Sequence, residues 1–329
     1  MSEALVVTRH GGREVLAVQD LPVPQPGPGE VLVEVAAAGV NFIDVYYREG
    51  AYPRATPFVL GSEGAGRVVA CGPGVEPIPP GLRVAWAMVL GSAAQHALVP
   101  AASLVPVPDE VPLELAAAVM LQGMTAHYLA VSAFPAGHGT STLVHAAAGG
   151  VGQLLVQILK TRGAKVIATA GSTSKCATAR RRGADHVINY SLEPDLPAKV
   201  RELTGGRGVD VVYDGVGQAT FDASLASIRP RGLLVLYGAS SGPVPPFDIQ
   251  RLNAAGSLYL TRPMLAHYIA TREELLDRAG AILHAVGSRT LDVAIGGRYS
   301  LHDAAAAYAA LEGRATQGKL LLIPTPPLS

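Results

Sequence analysis

The sequence predicts an α/β protein with two parts, a β-rich first part and a doubly wound parallel sheet that follows it. Residues 1–120 contain short apolar runs separated by Gly and Pro turns, which is typical of a small barrel or sandwich. From residue 141 onward, short apolar strands alternate with helical segments, which indicates parallel strands joined by crossover helices. The length of 329 residues is ample for two domains with buried cores.

The β-rich part is predicted from apolar runs such as residues 31–35 and 67–70. Residues 22–29 have Pro at every second position, so they cannot form a helix or an interior strand. Short strands at this close spacing indicate a small barrel or sandwich.

The second part begins with a buried strand predicted over residues 142–146. Val151, Leu154, Leu155 and Ile158 then lie at helical spacing on one face. Further strands are expected at residues 165–170, 186–188, 209–213, 233–237 and 257–260. This order of elements is typical of a doubly wound dinucleotide-binding fold.

The tail of the chain contains two predicted helices, residues 272–286 and 301–311, and an apolar run at residues 320–323 that predicts a strand. The periodicity is compatible with a tail that completes the nucleotide-binding sheet and with one that returns to the first part.

Composition limits the classes of function. The formal net charge is zero and aromatic residues make up 5%, so we expect no nucleic-acid partner. No apolar run approaches the roughly 20 residues that span a bilayer, and the first residues lack the pattern of a signal peptide, so we expect no membrane partner. Two cysteines, Cys71 and Cys176, cannot form a disulfide framework, which favours a cytoplasmic location.

The strongest chemical signal is the glycine-rich turn between the first predicted strand and helix of the second part. Against the dinucleotide fingerprint G-x-G-x-x-G it has Ala147, Gly149 and Gly152, with alanine in place of the first glycine. Gly149 allows the backbone to approach a pyrophosphate, Gly152 allows tight helix packing, and the helix N-terminus offers N–H groups to the phosphates. The candidate pyrophosphate-binding residues are Ala148, Gly149, Gly150, Val151 and Gly152.

The neighbourhood of the adenosine ribose predicts NADPH as the cofactor. NAD-dependent enzymes usually place Asp or Glu at the end of the second strand, but residues 153–184 contain no acidic residue. Ser172 and Lys175 are therefore candidates to bind a 2′-phosphate. For Arg181 and Arg182, which are part of the same basic run, we favour a solvated helix face.

Several further segments resemble the quinone oxidoreductase (zeta-crystallin-like) branch of the medium-chain dehydrogenase/reductase superfamily. The resemblance covers nearly the whole chain. It is carried by the glycine turn and by the segments AGVNFID (38–44), LGSEGAG (60–66), LQGMTA (121–126), GADHVINY (183–190), VVYDGVG (211–217) and RATQGK (314–319).

The resemblance implies a GroES-like catalytic domain formed by residues 1–123 and 266–329. A Rossmann domain that binds NADPH, residues 124–265, would be inserted between these two parts, with the active site in the interdomain cleft. Members of this family are commonly homodimers, so we expect a homodimer paired along the edges of the Rossmann sheets.

The resemblance also implies roles for individual residues. Lys175 and Tyr190 match residues that hold the 2′-phosphate, and Tyr46 and Tyr52 match positions near the substrate. The remaining residues that match the cofactor site are Asn41, Thr125, Gly149, Val151, Gly215, Tyr237, Ser240 and Arg314.

No metal site is expected. Zinc-dependent members of the superfamily have a Cys in the segment that matches Asn41 and a His in the segment that matches Ser62. They also have a further Cys, and a separate loop with four Cys. Two cysteines and nine scattered histidines do not supply the three ligands of a catalytic zinc.

These observations predict a zinc-independent NADPH:quinone oxidoreductase that transfers hydride to a quinone. Without a Lewis acid a saturated ketone is poorly activated, whereas a quinone is already electron-poor and becomes an aromatic hydroquinone. Tyr46 and Tyr52 are expected to wall a hydrophobic slot, with Asn41 as a polar contact. Two roles are open for Tyr46: it polarises or protonates the substrate oxygen, or it only shapes the slot.

Other functions remain compatible with the sequence. Hydride could instead add to the β-carbon of an alkenal or an enoyl thioester with the same geometry. A crystallin-like or RNA-binding role and a cofactor-bound sensor are the alternatives outside catalysis. The physiological quinone, and whether one or two electrons move per encounter, are left open.

Overall fold

The structure is a computed structural model, and it describes residues 1–313 and 316–324. The chain forms two compact units. The first unit contains Met1–Met124 and the chain from Tyr268 onward, and the second contains Thr125–His267.

The strands and helices follow one another along the chain. The strands are β1 (Ser2–Val7), β2 (Leu16–Leu21), β3 (Glu30–Val40), β4 (Phe58–Val59), β5 (Glu63–Cys71), β6 (Arg83–Ala87), β7 (His96–Pro100), β8 (Val105–Pro106), β9 (Ser141–Val144), β10 (Lys165–Ala170), β11 (His186–Asn189), β12 (Val209–Asp214), β13 (Ile228–Leu236), β14 (Tyr259–Thr261), β15 (Ile295–Tyr299) and β16 (Lys319–Leu322). The α-helices are α1 (Phe42–Arg48), α2 (Leu113–Tyr128), α3 (Gly150–Thr161), α4 (Thr173–Arg181), α5 (Leu196–Leu203), α6 (Phe221–Ser227), α7 (Gln250–Ala254), α8 (Arg272–Gly287) and α9 (Ala304–Glu312).

The first unit is built around the long strand β3. A large sheet has the order β15-β16-β3-β5-β6-β8, and β7 also pairs with β3. A smaller sheet has the order β2-β1-β4. Apolar side chains from these strands, from α9 and from the loops between them form one core around Trp86, Leu60 and Tyr308.

The tail returns to the first unit. Strand β16 pairs antiparallel with β3, with Leu320 opposite Val40 and Leu321 opposite Gly39. The residue at the start of β16, Lys319, therefore lies beside the end of β3, where α1 begins.

The second unit contains a six-stranded sheet in the order β11-β10-β9-β12-β13-β14, in which every pair of neighbours is parallel. Counted from β9, this is the order 3-2-1-4-5-6 of dinucleotide-binding sheets. The strand order reverses between β9 and β12, and the carboxyl ends of strands at such a point form the usual ligand site. The predicted α/β architecture is confirmed.

Local differences from the predicted elements have backbone causes. The strand predicted over residues 142–146 ends at Val144, because Ala146 has a positive φ of 50° and turns the chain toward α3. Helix α1 was not predicted, because its seven residues are too few to show a helical period.

The helical stretch Leu113–Ala133 is long and apolar enough, by length and composition alone, to cross a membrane. The sequence did not predict an apolar helix of this length, because Glu114 and His127 interrupt the apolar run. Most of its apolar window, 67%, is buried inside the protein, which is the usual pattern of a core helix.

Candidate functional site

The glycine turn lies between β9 and α3 in the second unit. Gly149 is the N-cap residue of α3, and no side chain there hydrogen-bonds the first amides of the helix. A Cβ atom at position 152 would lie 2.8 Å from the Cα of Ala147 and closer still to the carbonyl oxygen of Ala146. Glycine at position 152 therefore lets α3 pack tightly against the turn, as the fingerprint requires.

The residues of this turn fit a dinucleotide pyrophosphate. A Cβ atom at Gly149 would contact only the carbonyl oxygen of Ala146, at 3.1 Å, so the backbone there is open to approach. The first N–H groups of a helix have no partner within it, and the helix dipole adds positive partial charge at the same end. An anionic group is therefore stabilised at the start of α3.

The side chain of Gln153 links the glycine turn to Arg182 by hydrogen bonds. Its side chain is buried, and its Nε2 donates to the carbonyl oxygen of Ala148 at 2.8 Å. Its Oε1 accepts from Nε of Arg182 at 2.7 Å. The sequence favoured a solvated position for Arg182, but this arginine links α4 to the glycine turn, whereas Arg181 is exposed.

Tyr190 lies against Gly171 at the end of β10, Ser172 is the next residue along the chain, and Lys175 lies in the first turn of α4. Ser172 is the N-cap of α4, and its Oγ accepts from the backbone N–H of Lys175 at 3.3 Å. The backbone N–H of Tyr190 donates to the carbonyl oxygen of Ala170 at 3.2 Å. A Cβ atom at Gly171 would lie 2.7 Å from Cζ of Tyr190, so glycine at position 171 leaves room for the phenol ring.

A second turn follows β12. Oδ1 of the buried Asp214 accepts from the backbone N–H of Val216 at 2.8 Å, which shapes this turn. A Cβ atom at Gly215 would lie 2.7 Å from Cζ of Tyr237, and the N–H of Ser240 donates to the carbonyl oxygen of Gly215 at 3.3 Å. Three predicted cofactor residues, at 215, 237 and 240, therefore meet at the carboxyl ends of β12 and β13.

A buried chain of hydrogen bonds links the two turns. Ser224 Oγ lies 2.7 Å from Oδ2 of Asp214 and 3.0 Å from Nε2 of His145, and His145 Nδ1 lies 2.9 Å from Oγ1 of Thr169. The carboxylate can only accept, so Ser224 donates its single proton to Asp214. His145 must then donate from Nε2 to Ser224 and accept at Nδ1 from Thr169.

The buried position of His145 favours its neutral form. Burial lowers the pKa of His145 below its ordinary value, and the nearby Asp214 carboxylate opposes this shift only in part. Serine, histidine and aspartate meet here, but the serine lies between the other two and all three are buried, so no nucleophile is exposed to a substrate.

Three tyrosines form a cluster in the first unit. The ring centroids of Tyr46 and Tyr52 are 5.4 Å apart, and those of Tyr47 and Tyr52 are 5.6 Å apart. The backbone N–H of Tyr52 donates to the carbonyl oxygen of Tyr46 at 3.0 Å. The two tyrosines expected near the substrate are thus brought together, and Tyr47 joins them.

Asn41 lies at the start of α1 with its side-chain amide fully hydrogen-bonded. Its Nδ2 donates to Oε1 of Glu63 at 2.7 Å and to the carbonyl oxygen of Gly39 at 3.3 Å. Its Oδ1 accepts from Nζ of Lys319 at 2.8 Å and from Nε2 of Gln122 at 3.2 Å. Asn41, Glu63 and Lys319 are all buried.

Asp44 lies next to this group. Its carboxylate accepts from Oγ of Ser62 at 2.6 Å, from the N–H of Asn41 at 2.9 Å and from the hydroxyl of Tyr308 at 3.2 Å. Burial raises the pKa of Asp44 to about 6, although these donors favour the charged carboxylate. Positions 41 and 62, which match metal ligands in zinc-dependent relatives, are therefore joined here through a carboxylate.

Within residues 1–313 and 316–324, no three His, Cys, Asp or Glu side chains are grouped so that they could hold a metal ion. The remaining predicted site residues are Thr125, which is buried in α2 at the start of the second unit, and Arg314, which lies outside the described residues. The roles assigned to the site residues stay predictions.

Sequence reasoning missed the partners that orient the site. His145, Ser224, Glu63, Gln122 and Lys319 were not singled out for chemistry. A polar residue directly before the glycine turn and a lysine directly before the apolar run 320–323 were the available signals. Neither signal indicates which distant residue His145 or Lys319 would contact.

Comparison with known proteins identifies the family of this chain. The family model "Alcohol dehydrogenase GroES-like domain" matches residues 27–109, and "Zinc-binding dehydrogenase" matches residues 150–280. A quinone oxidoreductase of Salmonella typhimurium is 44% identical over 98% of this chain and 100% of its own length. A 2-haloacrylate reductase of a Burkholderia species is 40% identical over 98% of this chain and 99% of its own length.

A solved structure gives the same relationship. A mycobacterial protein in complex with NADPH is 50% identical and superimposes with a TM-score of 0.95 over 98% of this chain and 100% of its own. The fold and the dinucleotide turn define a medium-chain dehydrogenase/reductase. Within that superfamily, the chain belongs to the quinone oxidoreductase family.

We expect the free energy of unfolding of His145→Gln to fall less than that of the wild type as the pH drops. Because burial lowers the pKa of His145 from its ordinary value of 6.5, the folded protein binds a proton at position 145 less readily than the unfolded chain does. Wild-type stability therefore falls as the pH drops from 7 toward 5, by at most about 1.4 kcal/mol per pH unit for this group. Urea unfolding at several pH values measures this slope.

The matched control is His284→Gln, which removes an exposed imidazole on α8. If His145→Gln leaves the slope unchanged, then His145 is not held neutral in the folded protein.

Proposed function

We propose that this protein is a zinc-independent, NADPH-dependent quinone oxidoreductase. The single observation that carries the proposal is the glycine turn at the start of α3 together with Ser172 and Lys175 at the start of α4 and Tyr190 after β11. Residues 153–184 contain no acidic residue that would repel a 2′-phosphate. The solved mycobacterial relative with NADPH and the relative named quinone oxidoreductase support the same cofactor and substrate class.

The residues of this chain bind the cofactor and orient the quinone. When bound, NADPH supplies the hydride. The start of α3 binds the pyrophosphate, and Lys175 and Tyr190 hold the 2′-phosphate by a charge-assisted hydrogen bond and a hydroxyl contact. Tyr46 and Tyr52 wall an apolar slot in which the flat quinone ring lies. Positioning is the main contribution that an electron-poor quinone needs from the protein.

We expect Lys175→Met to weaken the use of NADPH and to leave the use of NADH nearly unchanged. Loss of one charge-assisted hydrogen bond to the 2′-phosphate raises KM for NADPH by about 10- to 100-fold. We expect Gly171→Ala also to raise KM for NADPH, because its Cβ would displace the ring of Tyr190. Initial rates with both cofactors measure the ratio.

Arg181→Met is the control for charge removal on the same helix, since Arg181 is exposed and its NH2 group donates to Thr178. A wild-type enzyme that prefers NADH would contradict the assignment of the 2′-phosphate site.

A second candidate function is reduction of an α,β-unsaturated carbonyl or acid. The 40% identity to a 2-haloacrylate reductase favours it, because hydride addition to an activated C=C bond needs the same arrangement of donor and acceptor.

A substrate panel with NADPH separates the two functions. We expect kcat/KM for 1,4-naphthoquinone or 9,10-phenanthrenequinone to exceed that for an alkenal, crotonyl-CoA and 2-chloroacrylate by at least about 10-fold. The reason is that a quinone accepts hydride without an acid or a metal to polarise it. The reverse order of activities would replace quinone reduction by the second function.

We propose that Tyr46 acts as a wall and not as an acid, since its ring packs against Tyr52 and solvent can protonate the reduced quinone. Tyr46→Phe should keep kcat with a quinone within about two-fold, whereas Tyr46→Ala should raise KM for the quinone about 10-fold through lost apolar contact. Steady-state kinetics with saturating NADPH measure both constants. A large drop in kcat for Tyr46→Phe at unchanged KM would instead identify Tyr46 as the proton donor.

We propose a homodimer in the cytoplasm that needs neither nucleic acid nor a membrane. Strand β14 lies at the edge of the parallel sheet, and its side chains of Tyr259 and Leu260 are exposed, at 65% and 37%. Pairing of two such edges would cover both side chains and satisfy the open backbone groups. Cys71 and Cys176 are free thiols, as a reducing compartment favours.

A further inference from the structure

An unpartnered acceptor lies next to Asn41. Gln122 is in α2, and its Nε2 donates to Oδ1 of Asn41 at 3.2 Å. Its Oε1 is buried and accepts no hydrogen bond from any residue of 1–313 or 316–324. Trp86 Nε1 and Ser92 Oγ are also buried without a partner among the described residues, but only Gln122 hydrogen-bonds a residue that is predicted to contact the cofactor, Asn41. A buried carbonyl oxygen without a donor is costly, and beside Asn41 a bound ligand could supply that donor.

The orientation of the Asn41 amide is determined by two charged neighbours. Lys319 has only donors, so the Asn41 atom that faces it must be the oxygen. Glu63 has only acceptors when ionised, so the atom that faces it must be the amide nitrogen. In the opposite orientation, the NH2 group of Asn41 would face the ammonium group of Lys319, donor against donor. Its oxygen would face the carboxylate of Glu63, acceptor against acceptor.

Both charged groups are themselves held by further contacts. The ammonium group of Lys319 donates to Glu63, to Asn41 and to the carbonyl oxygen of Val40, so all three of its donors are used. The second carboxylate oxygen of Glu63 accepts from the backbone N–H of Leu121 at 2.6 Å. A Cβ atom at Gly39 would lie 2.6 Å from Cδ of Glu63, so glycine leaves room for the carboxylate.

The orientation of the Asn41 amide determines that of the Gln122 amide. Because the oxygen of Asn41 faces Gln122, the glutamine must present its NH2 group to it. The outer atom of the Gln122 amide is then the oxygen, an acceptor.

We propose that the Lys319–Glu63 ion pair positions Asn41 and Gln122 so that Gln122 Oε1 accepts a hydrogen bond from an N–H or O–H donor of the bound cofactor or substrate. Gln122 is then a binding residue, and Lys319 is a positioning residue that acts through Asn41. The inference rests on the proposed function, since it needs a bound nicotinamide cofactor or a quinone.

Two donors have this chemistry. One is the carboxamide NH2 of the nicotinamide ring, and the other is the new hydroxyl of the reduced substrate. Either donor would give Gln122 Oε1 a partner, and the two differ in which ligand is affected when the amide is lost.

The test is Gln122→Leu, which keeps a similar volume and removes the acceptor. Dissociation constants are measured by fluorescence for NADPH and for its reduced 3-acetylpyridine analogue, which has no N–H donor on the ring substituent. Inhibition by the hydroquinone product gives a third constant. Loss of one such hydrogen bond weakens the affected ligand about 10-fold.

The three constants identify the donor. If the carboxamide is the donor, NADPH binds about 10-fold more weakly to Gln122→Leu and the 3-acetylpyridine analogue binds unchanged. If the hydroxyl is the donor, both cofactors bind unchanged and hydroquinone inhibition weakens about 10-fold. Unchanged constants for all three ligands would overturn the proposal, and so would equal weakening of NADPH and its analogue.

Lys319 is tested together with its partner, because removal of one buried charge alone would destabilise the fold. The pair Lys319→Met with Glu63→Gln should show the same ligand-selective loss as Gln122→Leu. Addition of Gln122→Leu to this pair should weaken the ligand no further, because all three changes act through one hydrogen bond. Additive losses would show that Lys319 does not act through Gln122.

Gln19→Leu on the exposed face of β2 is the matched control, and circular dichroism checks that each variant is folded. Wild-type protein that fails to bind NADPH would refute the proposed function itself. Wild-type protein that binds NADPH beside an unaffected Gln122→Leu variant would refute only this inference.

Discussion

The close approach of α3 to the chain that precedes it is the constraint on which the second unit depends. Gly152 packs against the backbone of residues 146–147, so α3 begins directly behind the end of β9. The amide end of the helix is consequently aimed at the point where the order of the parallel strands reverses. Gln153 and Arg182 then link the same turn to α4, the helix that carries Lys175.

Much of the fold and part of the site could be predicted from the sequence, and the limit is sequence distance. Gly149 and Gly152 lie in one strand–turn–helix segment, and Ser172 and Lys175 lie in the next, so short-range patterns indicate these four residues as candidates. The strand predicted over residues 165–170 agrees with β10 because its apolar run is bounded by turns. The tail was compatible with two positions, because no periodicity says which strand β16 will pair with.

The parts of the site that could not be predicted are contacts across long separations. His145 and Ser224 are 79 residues apart, and Glu63 and Lys319 are 256 residues apart. Each of these residues looks ordinary in its own segment. Their roles appear only when the fold has excluded water and each donor must find an acceptor. In both units, one group with a single possible hydrogen-bonding role sets the orientation of the next.

The pairing of β16 with β3 has a consequence for the order of synthesis. The ribosome releases all six strands of the parallel sheet before it reaches Lys319, so the second unit can fold while the first still lacks a strand. The ion pair between Glu63, in a segment made early, and Lys319, in a segment made late, can therefore form only after β16 has been made.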